Sequence, residues 1–397
     1  MNKPLQGITV IAASLAEAGP VTSEMLGMLG AEVWHIERPI NGPTARYTGS
    51  LIRMANKKSI TLDTKTEEGK EILWKLIDKA DVFMENFAPG AWDRMGFSYE
   101  EMAKRKPDII YCSIKGFAKD SKWGKCITYD PVAVASGGGA ALCGYEDLDP
   151  MMCGINVADS GAAIHNAMGI VAACLYKKLT GKGQYIEAPM QNAVTVECRD
   201  ALAQYYEVGE QNPRRAGNSY RGTKPTAPHN VYPVQGTDPI GNHICIACSA
   251  DPESQDFTNL CKAIDREDLL SDPRFETPEL RYKNRHALDF EIKKWTYRHT
   301  KEEATAILAG KYGVPAAPVN GPRDMCADEQ IVGSVLQDMP DSRIGHLRMP
   351  IIPTKMKSYK IRAITCGEHG DANRDVYCGV LGMTEAELKE LAAKHII

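Results

Sequence analysis

The sequence lacks the features that would place it in a membrane or on a nucleic acid. No uninterrupted run of 18 or more apolar residues occurs in its 397 residues, which argues against a membrane span. A nucleic-acid binder usually carries a basic excess, whereas this chain has a formal net charge of -4. The apolar run in "MNKPLQGITVIAAS" is too short for a signal peptide and predicts a first β-strand. Because the twelve cysteines are scattered through the chain, we expect a reduced, cytoplasmic protein.

Three common site motifs are also missing. The turn "ASLAEAGP" offers only Gly19, followed by Pro20, where a dinucleotide-binding turn needs G-x-G-x-x-G, although Glu37 could supply the acid of strand two. Cys245 and Cys248 form one C-x-x-C without a second pair at zinc spacing, so no metal site is predicted. No Ser-His-Asp or Cys-His order stands out among the nine histidines. NAD binding, a metal centre and a triad hydrolase are therefore disfavoured.

What the chain does have is a regular alternation of strand and helix patterns. The segments "GITVIAAS", "AEVWHIERP", "KSITLD", "DVFMEN" and "DIIYCSIKG" predict strands, with helical patterns such as "TEEGKEILWKLIDKA" among them. This alternation predicts a parallel sheet covered by helices. The length favours two domains. We expect a large α/β domain in 1–200, a linker in 201–230, a small domain in 231–320, and a linker and return to the large domain in 321–397.

Basic residues cluster where strands of such a sheet are expected to end. Arg38 follows the second predicted strand, Lys57 and Lys58 precede the third, and Arg94 lies in "ENFAPGAWDRMGF". Ligands of open α/β sheets bind at the carboxyl ends of strands. The cluster therefore predicts a polyphosphate ligand, with a solvated charged surface as the alternative.

Asp159 stands at the start of a long apolar helical pattern, in "GINVADSGAAIHNAMGIVAACLYKK". One interpretation is an N-cap, whose carboxylate accepts hydrogen bonds from free backbone N–H groups and is kept ionised by the helix dipole. The other is a nucleophile, because an anionic carboxylate among small residues is accessible to a reacting carbonyl. The glycines Gly137–Gly139 in "ASGGGAAL" could then bring backbone N–H donors to that carbonyl.

Several motifs occur together in one order along the chain. They are "AGPVTSEMLGMLGAEVWHIERP", "KKSITLD", "ADVFMENFAPGAWDRMGF", "YDPVAVASGG", "ADSGAAIHNAMGIVAACLYKKLTGKGQYIEAPMQNA" and "GEHGDANRDVYCGVLGMTEAE". Together they resemble the class III CoA-transferase (CaiB/BaiF) family nearly end to end, most weakly between 205 and 300. The N-terminal half is especially similar to the formyl-CoA:oxalate CoA-transferases.

The resemblance implies a covalent mechanism. Asp159 matches the family's nucleophile, which forms a mixed anhydride and then an aspartyl-CoA thioester before CoA passes to the acceptor acid. Tyr129 and Asp130 match an active-site Tyr–acid pair, and the glycines around Gly138 would stabilise the oxyanions. CoA enters as a thioester substrate, and no tightly bound cofactor is expected. The positions that match CoA contacts are Arg38, Leu62, Asn86, Arg94, Met95, Lys125 and Met190.

The chain departs from the formyl-CoA enzymes at three places. Glu17 stands where they carry an active-site glutamine, which puts a negative charge beside the acyl site. Ile127 aligns with a CoA-contacting lysine, for which Lys125 is close enough to substitute, and "GNSYRGTKPTAP" replaces a flexible tetraglycine loop. Glu17 changes which acids would be tolerated, while the other two departures weaken oxalate as a substrate and leave the reaction class unchanged.

The resemblance also sets the expected assembly and the alternatives. It implies an open, Rossmann-like parallel sheet with a smaller inserted α/β domain, and an interlocked homodimer whose chains cross in linkers near 195–230 and 315–345. The partners would be an acyl-CoA and a small carboxylic acid. The rivals are an α-methylacyl-CoA racemase, disfavoured because Tyr129 replaces the racemases' histidine and phenols ionise near pH 10, and a non-catalytic subunit paired with a paralogue.

Overall fold

The computed structural model describes residues 3–39, 48–219, 226–238, 240–251, 253–341 and 344–397. Its strands are β1 Thr9–Ala13, β2 Glu32–Glu37, β3 Lys58–Thr61, β4 Val82–Glu85, β5 Ile110–Ser113, β6 Gln184–Ile186, β7 His229–Pro233, β8 His243–Ala247, β9 Ala316–Pro318, β10 Leu336–Asp341 and β11 Gly345–Pro350. Its α-helices are α1 Ala18–Met28, α2 Thr48–Arg53, α3 Glu67–Lys79, α4 Ala91–Arg94, α5 Tyr99–Arg105, α6 Asp130–Ser136, α7 Gly139–Leu142, α8 Val157–Thr180, α9 Met190–Glu197, α10 Arg199–Glu207, α11 Asp256–Ala263, α12 Pro278–Lys283, α13 Arg285–Thr296, α14 Lys301–Thr305, α15 Pro322–Ala327, α16 Glu329–Ser334 and α17 Glu385–Ala393. A 3₁₀ turn covers Glu267–Leu270, and π-helical turns cover Ala306–Lys311 and Arg374–Cys378.

The first of two units is built on a six-stranded parallel sheet. It comprises Met1–Gly137, Cys153–Glu197 and Gln330–Ile397. The strand order is β3-β2-β1-β4-β5-β6, and the observed pairings between these strands are parallel. This is the order of doubly wound dinucleotide folds, in which the strand order reverses between β1 and β4 while all strands stay parallel. The predicted open parallel sheet is confirmed.

The second unit comprises Gly138–Met152 and Cys198–Glu329. It contains the antiparallel sheet β7-β8-β9, whose buried side packs against helices α11, α13 and α14. A buried polar contact joins sheet to helix, because Tyr232 and Asn230 both donate to the Asp289 carboxylate, at 2.6 and 2.9 Å. The ranges 1–200, 201–230, 231–320 and 321–397 stay a prediction. Residues 220–225 of the segment "GNSYRGTKPTAP" lie outside the described residues.

Local sequence explains where the helices of the first unit begin. Thr66 accepts a hydrogen bond from the Gly69 N–H at 3.0 Å and caps α3. Thr384 forms a capping box with Glu387 at the start of α17. None of the helices in the described ranges combines the length and apolarity needed to cross a bilayer.

A buried polar side chain of helix α8 bonds to the segment that follows the sixth strand. Asn166 donates to the carbonyls of Ala162 and Ala188, at 2.9 and 3.0 Å, and accepts from the Ala188 N–H at 3.1 Å. Ala188 lies in the link between β6 and α9, so these bonds fix the helix against the sixth strand. The N-terminal turn of α8 therefore has a defined position.

Candidate functional site

Asp159 lies in the first turn of α8, two residues inside the helix rather than at its cap. The N-cap residue is Asn156, whose side chain makes no capping bond. The capping is done by Asp130, the first residue of α6, whose Oδ2 accepts from the N–H groups of Ala158 and Asp159 at 2.9 and 3.0 Å. The interpretation of Asp159 as the N-cap is therefore wrong. Its carboxylate is not used to satisfy the start of its own helix.

The surroundings of Asp159 make its carboxyl group less acidic than usual. Burial, followed by the negative charges of Asp130 and Glu17, raises its pKa to about 6. The Ala18 N–H, at the start of α1, donates to the carboxyl, and this bond and the Arg53 guanidinium act in the opposite direction. The expectation that a helix dipole holds the group strongly ionised is corrected, because burial and like charges outweigh it. The result is a carboxylate that is mostly ionised at pH 7 and more basic than an exposed aspartate.

Glu17 directly precedes α1 and is half-buried near Asp159. Its Oε2 accepts from Arg53 Nη1 at 3.3 Å and from Asn156 Nδ2 at 2.8 Å. Sequence reasoning found Glu17 and missed both partners. A pattern search had little to find them by, since Arg53 ends a short helix and Asn156 reads as an ordinary loop residue.

Tyr129 and Gly138, two other predicted site residues, have clear backbone roles. Tyr129 is the N-cap residue of α6, with its side chain 70% exposed in the single chain. Gly138 has φ +99° and begins α7 in the second unit, which explains why glycine is needed there. Neighbouring Gly137 is needed for close packing, because a Cβ there would lie 2.6 Å from Val194 Cβ. The Gly137 N–H donates to the Ala133 carbonyl within α6, and the oxyanion role of the glycines around Gly138 stays a prediction.

A cavity of about 530 Å³ opens at the carboxyl ends of β1 to β4. Four of the seven predicted CoA-binding residues line it: Arg38, Leu62, Arg94 and Met95. Phe87 and Trp92 add apolar walls, and Lys65 adds a third cationic side chain. Cationic groups beside an apolar cleft at this edge of the sheet suit a nucleotide carrying phosphates.

The prediction that Arg38, Lys57, Lys58 and Arg94 lie together is wrong for the two lysines. Lys58 begins β3, so it lies at the amino edge of the sheet, where it pairs with Glu32 at 2.9 Å. Lys57 precedes it and is buried, donating to the carbonyls of Pro20 and Arg53 at 2.7 and 2.6 Å. Because β2 and β3 are parallel, Lys57 and Lys58, which precede β3, lie at the opposite edge of the sheet from Arg38, which follows β2. The sequence prediction did not include Lys65, which lines the cavity. Its position after β3 would have predicted this place.

The remaining three predicted CoA contacts are placed differently. Asn86 binds the β1–α1 loop through both amide atoms, accepting from the Leu15 N–H at 2.8 Å and donating to its carbonyl at 2.7 Å. Met190 is buried at the start of α9, and Lys125 is exposed between β5 and α6. Their contacts with CoA stay predictions.

The cysteines and histidines form no alternative centre in the described part of the chain. No group of three or more His, Cys, Asp or Glu side chains is arranged there to hold a metal ion. None of the twelve cysteines is in a disulfide, and burial raises the pKa of the Cys245 thiol in β8. His165 of α8 bonds through Nδ1 to the Gly161 carbonyl at 2.7 Å, within its own helix.

The chain is similar in sequence and in fold to known proteins along nearly its whole length. The family model described as CoA-transferase family III matches residues 5–369. The chain is 32% identical to formyl-CoA:oxalate CoA-transferases of Streptomyces avermitilis and Escherichia coli O157:H7, with 100% of each chain covered. A crystal structure of a CaiB/BaiF family protein from Brucella suis matches with a TM-score of 0.81 and 29% identity, over 98% of this chain and 100% of that one.

Proposed function

The chain belongs to CoA-transferase family III, and from that premise we propose that it moves CoA from an acyl-CoA thioester to a free carboxylic acid through Asp159. The observation that carries the proposal is the half-buried carboxyl of Asp159 in the first turn of α8, which has a pKa of about 6. This carboxyl accepts a hydrogen bond from the Ala18 N–H. Asp130 caps the helix in its place, so the carboxylate is available for chemistry.

The proposed cycle conserves the energy of the thioester. A carboxylate oxygen of Asp159 attacks the donor thioester carbonyl, CoA thiolate leaves, and a mixed anhydride remains. The thiolate then attacks the Asp159 carbonyl of the anhydride, which forms the aspartyl-CoA thioester and releases the donor acid. The acceptor carboxylate attacks that thioester and expels the thiolate, which attacks the acceptor's acyl carbon and restores the Asp159 carboxylate. One thioester replaces another, so no ATP is needed.

The cavity at the sheet edge supports CoA binding by the same chain. Arg38, Lys65 and Arg94 would face the nucleotide phosphates, and the walls formed by Phe87 and Trp92 would contact its apolar surfaces. Arg38 is held at its backbone, because His369 Nε2 donates to its carbonyl at 2.9 Å. The backbone of Arg38 is therefore fixed at the end of β2.

We predict that Arg38→Ala raises the KM for the acyl-CoA about tenfold and leaves kcat nearly unchanged. The reason is that Arg38 would bind the nucleotide equally in the ground and transition states. Steady-state kinetics with saturating acceptor acid measure both constants, and Lys104→Ala on the exposed face of α5 is the control. An equal loss in kcat would place Arg38 in the transition state instead.

We predict that kcat/KM for the donor rises with pH through an apparent pKa of about 6. Only the ionised Asp159 attacks, so activity should fall about tenfold per pH unit below that value and level off above it. Asp130→Asn keeps an oxygen for the cap and removes the negative charge that is the second cause of the raised pKa. The rise of kcat/KM should therefore move to lower pH. If the rise stays at the same pH in that variant, the ionisation belongs to another group.

Mass spectrometry of intact CoA esters tests the reaction class. The protein is incubated without ATP with acetyl-, succinyl- or formyl-CoA and a panel of free acids. A new acyl-CoA that appears as the donor disappears establishes transfer and identifies the acceptor. Loss of configuration in a 2-methylacyl-CoA, with no exchange, would favour the racemase. If the protein shows neither CoA exchange nor loss of configuration, the non-catalytic subunit is favoured.

We propose that a second copy of this chain covers an exposed face of α8. The α8 stripe consists of Ile164, Met168, Val171, Leu175 and Leu179, which are 37–76% exposed although they are apolar. Their spacing of four and three residues places them on one side of the helix, opposite the buried alanines. A continuous apolar stripe fits a copy of itself across a two-fold axis. Light scattering should therefore give about twice 43.6 kDa.

We also propose that the protein works in a reducing compartment such as the cytoplasm. Its twelve cysteines form no disulfides in the structure, and several are buried in the cores of the two units. Thiols of this number persist where glutathione and thioredoxin keep them reduced. Fractionation of the source cells, followed by detection of the protein, tests the location.

A further inference from the structure

The outer side of the edge strand β3 is covered by a segment near the end of the chain. β3 stands first in the sheet and pairs with β2 on one side only. On its other side, the Ala372 N–H donates to the Ser59 carbonyl at 3.0 Å. The backbone groups of an edge strand need such partners. Residues 369–377, which we call the C-terminal clamp, therefore take the place of a neighbouring strand.

The clamp holds the last residue of β3, Thr61, through two side chains. Asn373 Oδ1 accepts from the Thr61 N–H at 2.8 Å, and Asn373 Nδ2 donates to Thr61 Oγ1 at 2.7 Å. The hydroxyl of the fully buried Tyr377 donates to the Thr61 carbonyl at 2.7 Å. The N–H, the hydroxyl and the carbonyl of Thr61 are thus all bonded to the clamp. Such a connected network fixes the end of the strand.

The strand end that the clamp fixes leads directly into the cavity. Residues 62–65 follow Thr61, and all four line the cavity, with Lys65 as their cation. Within this turn, the Asp63 N–H donates to the carbonyl of Ile396 at 2.7 Å, and Ile396 is itself buried in the core of the first unit. Lys65 therefore lies on a turn that is bonded to the C-terminal residues at two points.

The clamp also reaches the end of β2, which carries a second cation of the cavity. His369 Nε2 donates to the Arg38 carbonyl at 2.9 Å. The Gly370 N–H donates to Ser59 Oγ at 2.9 Å, and the Ser59 hydroxyl donates in turn to the carboxylate of Glu37, the last residue of β2. One segment thus sets the backbone positions of Arg38 and Lys65 relative to each other.

We infer that the C-terminal clamp positions the two cationic residues that bind the nucleotide end of CoA, and that Asn373 and His369 are its positioning residues. The inference rests on the proposed binding of CoA in the cavity. Charge-assisted hydrogen bonds to phosphate depend on the direction of the donor, so a displaced backbone weakens them. The nucleotide takes no part in the bond changes at Asp159. The clamp should therefore set the KM for CoA esters and leave kcat unchanged.

Asn373→Ala tests the clamp with one acyl group carried either by CoA or by pantetheine, which lacks the adenosine and its phosphates. We expect the KM for the acyl-CoA to rise about tenfold, while its kcat and both constants for the acyl-pantetheine stay unchanged. Damage to the whole fold would instead affect both esters. Lys389→Ala, on the exposed face of α17, is the control and should behave like the wild type. An unchanged KM for the acyl-CoA, or an equal rise for both esters, would overturn the inference.

A double variant tests whether Asn373 acts through Lys65. If it does, Lys65→Ala/Asn373→Ala should raise the KM for the acyl-CoA by clearly less than the product of the two single effects. Single effects that simply multiply would show that Asn373 does not act through Lys65, and this would overturn the inference.

His369 gives a test that does not depend on the folding of Asn373→Ala. His369→Ala should raise the KM for the acyl-CoA about threefold, since one hydrogen bond to the Arg38 carbonyl is lost. His369→Gln should restore the wild-type KM, because its amide can donate to the same carbonyl without carrying a charge. Circular dichroism confirms folding of each variant. An unchanged KM in His369→Ala, or a KM in His369→Gln as high as in His369→Ala, would overturn the positioning role.

Calorimetry with adenosine 3′,5′-bisphosphate separates the clamp from the reaction. Binding should be about tenfold weaker in Asn373→Ala than in the wild type and unchanged in Lys389→Ala. If the wild type transfers no CoA and this shift occurs, the proposed function fails and the clamp stands. If CoA is transferred and the binding does not change, or the wild type does not bind the bisphosphate, the clamp fails and the function stands.

Discussion

Replacing Asp159 with alanine should lower kcat for CoA transfer by at least about 10³-fold while CoA esters still bind. The variant has no carboxylate to form the anhydride. The cavity lined by Arg38 and Arg94 is formed by elements other than α8, so CoA binding should be retained. Single-turnover assays by mass spectrometry measure the loss, and calorimetry with CoA measures binding. Asp200→Ala, an exposed acid in the first turn of α10, is the matched control and should keep full activity.

The covalent intermediate gives a second readout of the same assignment. Wild-type protein incubated with donor and then hydroxylamine should carry a hydroxamate on the peptide that contains Asp159, and Asp159→Ala should carry none. Substantial turnover in the variant, or modification of a different carboxyl group, would show that Asp159 is not the nucleophile.

Ionised Asp159 should also lower the free energy of unfolding. The pKa of Asp159 rises from 3.8 to about 6 on folding, so the folded chain binds this proton more tightly and ionisation disfavours folding. The cost develops as pH rises from about 4 through about 6 and is complete at about pH 8. Asp159→Asn should therefore raise the free energy of unfolding at pH 8 by about 1 kcal/mol, after allowance for solvent screening of a half-exposed group. Below about pH 4 the gain should vanish in denaturant titrations.

Placing two lysines on the α8 stripe should separate the dimer. In Met168→Lys/Leu175→Lys, each ammonium would be buried in the interface without a partner, at roughly 3 kcal/mol apiece. Light scattering should give a mass near 43.6 kDa for the variant. Both side chains are exposed in the single chain, so the fold of one copy should tolerate the change unless it depends on its partner.

The control for this variant is Glu71→Lys, which adds positive charge on the exposed face of α3. It should keep the mass of the wild type. A double-lysine variant that remains a dimer would show that the second copy does not cover α8. A wild type that is itself monomeric at micromolar concentration would reject the dimer altogether.

Local pattern predicted most of the sheet and part of the site. The strands β1 to β5 carry apolar runs bounded by polar turns, so their sequences identify them, and the Thr66 cap follows from residues three apart. Arg38 and Arg94 were found because each follows a strand of a parallel sheet. These features depend on neighbours in sequence.

The rest of the site depends on contacts between distant residues. Asp130 caps a helix that begins 27 residues later, and Arg53 meets Glu17 across 36 positions. The burial of Lys57 likewise follows from the packing of α1 against α2, which a run of two lysines does not reveal. One sequence carries no record of these pairings, so Asp159 looked like an N-cap and Lys57 like a surface charge.

The Asp130 cap fixes the position of the nucleophile by a contact between two helices that are far apart in sequence. Residue 130 begins α6, residue 159 lies in α8, and their hydrogen bond fixes the nucleophile whatever the intervening chain does. Residues 140–152, which lie between the two helices in sequence and beyond the predicted oxyanion glycines, can then gain, lose or exchange residues at small entropic cost. Descendants of one ancestor could diverge in that segment and keep the same carboxylate in the same register.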